Sequence, residues 1–205
     1  MTFYLIGLGN PGKEYLNSRH NTGAMVLEAF RKAAELPDWT LDAKRKALVS
    51  QGKVGKHTAV LILPQTFMNK SAEAVKNFQF SIFNFQNGKK KEKGIANLAV
   101  IHDDLDIPFG SYKISFNKSS GGHRGVESII KAVKTQAFVR VRVGIAASAS
   151  VIKKSQDEKT VEKVILGKFT PDQLAEFKKL SKNIAEGLTC LITEGREKAM
   201  SQYHK

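Results

Sequence analysis

The sequence predicts an α/β fold: one domain with a mixed, mostly parallel, twisted sheet sandwiched by helices. Three observations predict it. Short β-branched apolar runs alternate with segments whose apolar residues recur every three or four positions, the periods of strand and helix. Hydrophobic residues make up 41% and charged residues 25% of the 205 positions, the proportions of a globular chain with a real core. No apolar run approaches the roughly 20 residues that cross a bilayer.

Taken in order, Phe3 to Leu8 is a buried strand that enters the loop Gly9-Asn10-Pro11-Gly12. From Thr22, the residues Met25, Val26, Ala29, Phe30, Ala33 and Ala34 keep helical spacing, so a helix runs to about Leu36, before Pro37. Ala47 to Val54 and Thr58 to Leu63 are strands joined by a hairpin-type turn at Gly55-Lys56-His57. A second helix is expected after Met68, with Ala72, Val75, Phe78 and Ile82 on one face. Asn87 to Gly94 combines turn residues with a charge run and is expected to be a solvated loop. Leu98 to Ile101 is a buried strand ending in His102-Asp103-Asp104-Leu105-Asp106. Tyr112 to Phe116 alternates as a strand, and Lys118 to Gly122 is a polar loop. A helix from about Arg124 to Lys134 leads to the alternating strand Phe138 to Val143. Residues 146–159 lack periodicity and are expected to form a mobile loop. Thr170-Pro171-Asp172 is an N-cap with proline at the first helical position, and Leu174, Phe177, Leu180, Ile184, Leu188 and Leu191 continue that helix.

The charge balance is the informative deviation. Lys and Arg number 33 against 19 Asp and Glu, giving +14. Such a field concentrates polyanions, so nucleic acid or an anionic membrane surface is the natural partner class. A soluble surface or a lysine-rich genome would give the same number, and the charge does not say which polyanion. The N-terminus shows no basic segment of a signal peptide, and the one cysteine, Cys190, forms no internal disulfide. An intracellular, soluble chain is the expectation.

Gly7-Leu8-Gly9-Asn10-Pro11-Gly12 fits the dinucleotide fingerprint G-x-G-x-x-G in form only. A helix must open inside that motif to hold a pyrophosphate, whereas here Pro11 and residues 12–21 intervene. Glu28 also sits inside the first helix, not at the end of a second strand. His20 alone reads as a hydrogen-bonding residue at a helix start. Asp103, Asp104 and Asp106, placed where a strand ends, read either as ligands for a divalent cation or as the source of one carboxylate that orients a histidine. Asn10, His20, Asn69 and Asp103 all fall after strands or at helix entries, which is one rim of one sheet if the strands are parallel. No serine elbow or zinc-ligand spacing accompanies them, and Cys190 lies among apolar helix neighbours as a core thiol. Water activated by His20 is the chemistry these residues suit.

Together, these stretches resemble the bacterial-type peptidyl-tRNA hydrolase family. The segments are Leu5–Gly12 (LIGLGNPG) with Tyr15, Ser18–Gly23 (SRHNTG), Pro64–Ser71 (PQTFMNKS), His102–Gly110 (HDDLDIPFG), Gly121–Gly125 (GGHRG), Phe138–Ile145 (FVRVRVGI) and Val164–Lys168 (VILGK). They occur in the family's order from about residue 3 to about 195. The resemblance implies one domain over residues 1–205 and a monomeric, cytoplasmic esterase that uses no metal or other cofactor and has no membrane or protein partner. It would cleave the ester between a peptide's carboxyl end and the ribose at the 3′ end of tRNA. By matched position, His20 would be the general base and Asp103 the group that fixes its tautomer. Asn10 and Asn69 would hold the substrate and water, while Tyr15 and Met68 line the cleft. Lys113, Lys118, Lys131, Lys134, Arg140 and Arg142, with Arg124, are the candidates for the tRNA phosphates.

The chain departs from the family's pattern beside the cleft. Arg124 stands where GGHNG has asparagine, Ser115 where a basic residue is usual, and Asn117-Lys118-Ser119-Ser120 where glycines are usual. Gly144-Ile145-Ala146-Ala147-Ser148 replaces the GIG-[RH]-P ending. A non-catalytic RNA-binding relative is the alternative these changes suggest. His57, His123 and His204 have no readable role beyond surface or cap positions, although His123 adjoins the cleft in the matched motif.

Overall fold

The computed structural model describes residues 1–75, 78–88, 90–146 and 158–204. Its strands are β1 (Thr2–Gly7), β2 (Thr40–Asp42), β3 (Ala47–Val54), β4 (His57–Pro64), β5 (Ile82–Asn87), β6 (Lys90–Ile95), β7 (Leu98–Pro108), β8 (Tyr112–Phe116) and β9 (Val139–Ala146). Its α-helices are α1 (Thr22–Ala33), α2 (Arg124–Val133), α3 (Glu158–Leu166), α4 (Pro171–Thr193) and α5 (Arg196–Gln202). The main sheet has seven strands in the order β2-β3-β4-β1-β7-β9-β8. β4, β1, β7 and β9 are parallel to their neighbours in that run, while β2, β3 and β8 add antiparallel margins. The chain leaves β1 for β4 on one side and returns to β7 on the other. The carboxyl end of β1 is therefore a topological switch point, where open α/β sheets place their sites.

Each face of the sheet buries its own cluster. On one, Leu5, Ile101, Val141 and Val143 pack under Val26, Leu27 and Phe30 of α1 and Phe177, Ile184 and Leu188 of α4. On the other, Ile6, Leu8, Val100 and Phe138 pack under Val126 and Ile129 of α2 and under Met68, Ala74 and Val75. Each such side chain contributes roughly 1.5–3 kcal/mol on leaving water. Thr170 and Gln173 close a capping box at the start of α4, with Pro171 at its first position, as expected. No described helix is long and apolar enough to cross a membrane.

Several expectations are corrected. Helical spacing beyond Met68 is a coincidence of apolar residues: a 3₁₀ segment ends at Val75, Phe78 packs on Tyr4 at 4.6 Å, and Ile82 begins β5. The segment Asn87 to Gly94 is no loop but the turn and second strand of a hairpin, with Gly88 at φ 58°. The cue was Asn-Gly, the favoured hairpin dipeptide, and the lysine run masked it. The strand at Leu98 continues through the acidic cluster to Pro108, so His102 and Asp103 are inside β7. In the segment expected to be a mobile loop, Ala146 belongs to β9 and Glu158 and Lys159 open α3, while 147–157 lie outside the described residues. The short strand β2 and the helices α3 and α5 were not anticipated.

Gly23 marks the closest approach of α1 to the sheet. A Cβ there would collide with the backbone oxygen of Ile101 and lie 2.7 Å from the Leu8 nitrogen, and backbone cannot move aside as a side chain can. Gly23→Ala is expected to cost about 1–3 kcal/mol, read as a lower urea midpoint with an unchanged slope.

Candidate active site

The segment carrying His20 is a 3₁₀ turn, Arg19–Asn21, that runs directly into α1. It is fixed from the far end of the chain. The Arg19 backbone N–H donates to Gly167 O at 3.0 Å, and Phe169 N–H donates to Asn17 O at 2.9 Å. The Arg19 guanidinium donates to Lys168 O at 3.0 Å and Gln173 Oε1 at 3.1 Å, and lies 5.1 Å from the Phe169 ring centre. Residues 164–168, one of the matched segments, thus help hold the histidine loop.

His20 meets Asp103 across the sheet rim. Nδ1 lies 3.0 Å from both carboxylate oxygens. A second imidazole reaches the same group: His123 Nε2 lies 3.0 Å from Asp103 Oδ1. His123 Nδ1 accepts the Val126 N–H at 3.3 Å, so its proton is on Nε2 and is donated to the carboxylate. His20, whose proton is on Nδ1 and is donated to the same carboxylate, keeps the Nε2 lone pair free of any partner among the described residues. Its side chain is 9% exposed, and that of Asp103 3%. Burial alone would raise the Asp103 carboxyl, but the two imidazoles and their hydrogen bonds hold it far below the ordinary 3.8. Burial alone would lower His20, but the charge and hydrogen bond of Asp103 prevail and leave it above the ordinary 6.5; the Arg124 charge draws it part-way back. His102 donates through Nδ1 to the Asp103 carbonyl at 2.7 Å, and burial keeps it neutral.

The three aspartates do not converge. Asp104 pairs with Arg142 at 2.7 Å and accepts the Asp106 N–H at 2.9 Å, while Asp106 is exposed. The cation reading built on them is therefore withdrawn. His20, Asp103 and His123 do place three donor atoms within 4.8 Å of one another, but a cation there would have to replace both protons that the carboxylate accepts.

Around this pair, Asn10 is doubly clamped. Its N–H donates to Asn21 Oδ1 at 2.8 Å and its carbonyl accepts from Asn21 Nδ2 at 2.9 Å. Asn10 Oδ1 accepts the Met68 N–H at 2.9 Å, which ties the loop after β1 to the one after β4 and turns the Asn10 NH₂ outward. Met68 is buried, Asn69 exposed, and Tyr15 half-buried with its ring edge-on to Phe67 at 6.4 Å. A cleft of about 340 Å³ runs beside Asn10, lined by Gly9, Pro11, Gly12, Asn21 and Pro64; His20 and Asp103 are not among its lining residues, and neither are Tyr15 and Met68, which were expected to line it.

Of the basic candidates, Lys113, Lys118, Arg124, Lys131 and Lys134 are exposed, and Arg142 is half-buried in its ion pair. Arg140 is not on the surface. It is 2% exposed, and burial followed by the Arg142 charge pushes its guanidinium down to about 10. The expected contact of Arg140 with tRNA phosphates is therefore corrected: on β9 both faces are covered. His123 and Asn21 are the residues that sequence reasoning missed. Each sat inside a matched segment, yet nothing in one sequence says that a cap histidine shares a carboxylate with a residue 103 positions earlier, or that an asparagine clamps Asn10.

Comparison with known proteins identifies the family. A family model described as peptidyl-tRNA hydrolase matches residues 4–205. A relative from Thermodesulfovibrio yellowstonii named peptidyl-tRNA hydrolase is 34% identical over 201 residues, 98% of each chain. One of the same name from Aquifex aeolicus is 37% identical over 188 residues, 92% of this chain and 87% of that protein. The crystal structure of peptidyl-tRNA hydrolase from Acinetobacter baumannii superposes with a TM-score of 0.81 at 25% identity, covering 98% of this chain and 94% of that one. A family model over nearly the whole chain, relatives above 30% identity and a matching fold all point the same way: this chain belongs to the peptidyl-tRNA hydrolase family.

Proposed function

We propose that this chain hydrolyses the ester joining a peptide's carboxyl end to the 3′-terminal ribose of tRNA, with His20 as general base. One observation carries the reading: Asp103 accepts a proton-bearing nitrogen from each of two imidazoles and leaves His20 Nε2 as an unprotonated acceptor at the rim. Water donates to that nitrogen and attacks the ester carbon. The proton moves to His20, and the imidazolium so formed lies against the Asp103 carboxylate. As the carbon–oxygen bond to the ribose breaks, His20 returns the proton to the leaving oxygen, and acid and free tRNA result. The outward NH₂ of Asn10 and the exposed amide of Asn69 supply donors for the substrate carbonyl and developing oxyanion. The exposed lysines Lys113, Lys118, Lys131 and Lys134 suit an RNA whose sequence need not be read. The steps need no cofactor, and we place the enzyme in the cytoplasm as a monomer.

The test is release of tRNA from N-acetyl-aminoacyl-tRNA, with and without excess chelator. Cleavage under both conditions is expected, and RNA binding without cleavage would overturn the proposal. The pH profile adds a second readout. His20 acts as the neutral base, and its pKa is raised, so the acid limb of kcat/KM is expected to have its midpoint above 6.5. Because Arg124 lowers that pKa, Arg124→Asn is expected to move the limb to higher pH. A move to lower pH would refute the electrostatic role of Arg124.

A further inference from the structure

We propose that the β5–β6 hairpin is a docking surface for the double-helical body of the tRNA, remote from the ester; this rests on the function proposed above. The hairpin is a two-stranded sheet of its own, outside the main sheet. One face packs on the molecule: the Phe83 and Phe85 rings lie 6.0 and 5.4 Å from Phe116 at the end of β8, and Arg196 lies over Phe116 at 4.0 Å and over Phe83 at 5.3 Å. Two hydrogen bonds fix its second strand: the Ile95 N–H donates to Ala137 O at 2.7 Å, and the Thr135 hydroxyl donates to Lys93 O at 2.9 Å. The surface is thus held rigidly and needs little ordering on binding.

The outward face is built for a polyanion. Pairing sets Asn84 opposite Lys93 and Gln86 opposite Lys91, and all four side chains are exposed. Strand alternation puts Glu92 on the inner face with Phe85 and Phe83, and its carboxylate accepts from Asn87 Nδ2 at 2.8 Å. The outward face therefore shows two ammonium groups and two amides, with the exposed Ile82 at its base and no carboxylate among the described residues. Neither Lys91 nor Lys93 is in an ion pair among those residues. Lys134, exposed at the end of α2, adjoins through the Thr135 contact. Ammonium groups meet phosphates and amides meet ribose hydroxyls, without reading bases.

Its position selects which part of the substrate it meets. Tyr112 pairs with Val143, the β9 residue paired with Asp103, so β8 starts level with the site. β8 then runs away from it for four residues, about 13 Å, before reaching Phe116 and the hairpin. Lys113 lies along that path and Lys118 just past its end. A terminal nucleotide seated at His20 cannot span this distance, whereas the stem that follows it can. A peptide could also extend that far, but its charge varies, while that of the RNA backbone does not.

The experiment compares two esters carrying the same N-acetyl-aminoacyl group, one on full-length tRNA and one on a trinucleotide ending in CCA. For Lys91→Glu/Lys93→Glu, KM for the full-length ester is expected to rise roughly 5- to 30-fold, with kcat within about twofold. The neutral variant Lys91→Gln/Lys93→Gln is expected to flatten the salt dependence of tRNA binding by a slope of about 2, one per lysine. Cleavage of the trinucleotide ester is expected to be unchanged in both, which also reports correct folding. An unchanged KM on full-length tRNA, or an equal loss on both esters, would overturn the docking surface. Wild-type protein that cleaves neither ester would overturn the hydrolase reading and this surface with it.

Discussion

His20→Ala is expected to lower kcat for peptidyl-tRNA cleavage about 10²- to 10⁴-fold while tRNA affinity stays near wild type. The loss is chemical because His20 carries the acceptor nitrogen that receives the water proton, and the Asp103 carboxylate left behind is a far weaker base than an imidazole. Affinity persists because the exposed lysines, not this 9%-exposed imidazole, meet the RNA backbone. Single-turnover release of N-acetyl-amino acid, measured beside filter binding, separates the two. Wild-type turnover in the variant would remove His20 from the mechanism.

Asp103→Asn is expected to be about as damaging, roughly 10³- to 10⁴-fold in kcat, through the tautomer. Asparagine can place its carbonyl where Oδ1 lies and still accept from both imidazoles. Its NH₂ then occupies the Oδ2 position, 3.0 Å from His20 Nδ1, and offers a donor to a donor. His20 answers by moving its proton to Nε2, the atom that must receive the proton of water. The opposite rotamer sets the NH₂ against both imidazoles. The variant also changes stability with pH. The folded pKa of Asp103 is depressed below 3.8, so its stabilisation is present above that value and is lost as pH falls through it toward the folded pKa. Below about pH 4, wild-type unfolding free energy is expected to fall more steeply than that of the variant. Parallel acid limbs in denaturant titrations would show that the two histidines do not hold the carboxylate.

How much was legible beforehand follows from what is local. Alternation at Phe138 to Val143, the Thr170-Pro171 start and the apolar run at Phe3 to Leu8 are set by neighbours in sequence, and those elements stand where the pattern put them. Parallel packing of β1, β4, β7 and β9 brings Asn10, His20 and Asp103 to one rim, as the placement of these three polar residues implied. What failed depends on distant partners. Phe78 and Ile82 match a helical period only by accident, since Tyr4 and Ile95 decide where they lie. Arg140 alternates like a surface residue on a strand that neighbours bury on both sides. His123 looked like a cap and is one, but the same ring also reaches Asp103, and no periodicity encodes a shared proton acceptor.

The tether between the His20 turn and residues 167–173 bears on synthesis of the chain itself. Arg19 and Lys168 are separated by 149 positions, so the fastening is among the longest-range contacts in the molecule. Contacts of such separation close late, because the intervening loop entropy is met only when the rest is in place. A nascent copy on the ribosome carries Asn10, His20, Asn69 and Asp103 well before it carries their fastener. The turn that carries His20 is therefore fastened only after both ends of the fold have come together.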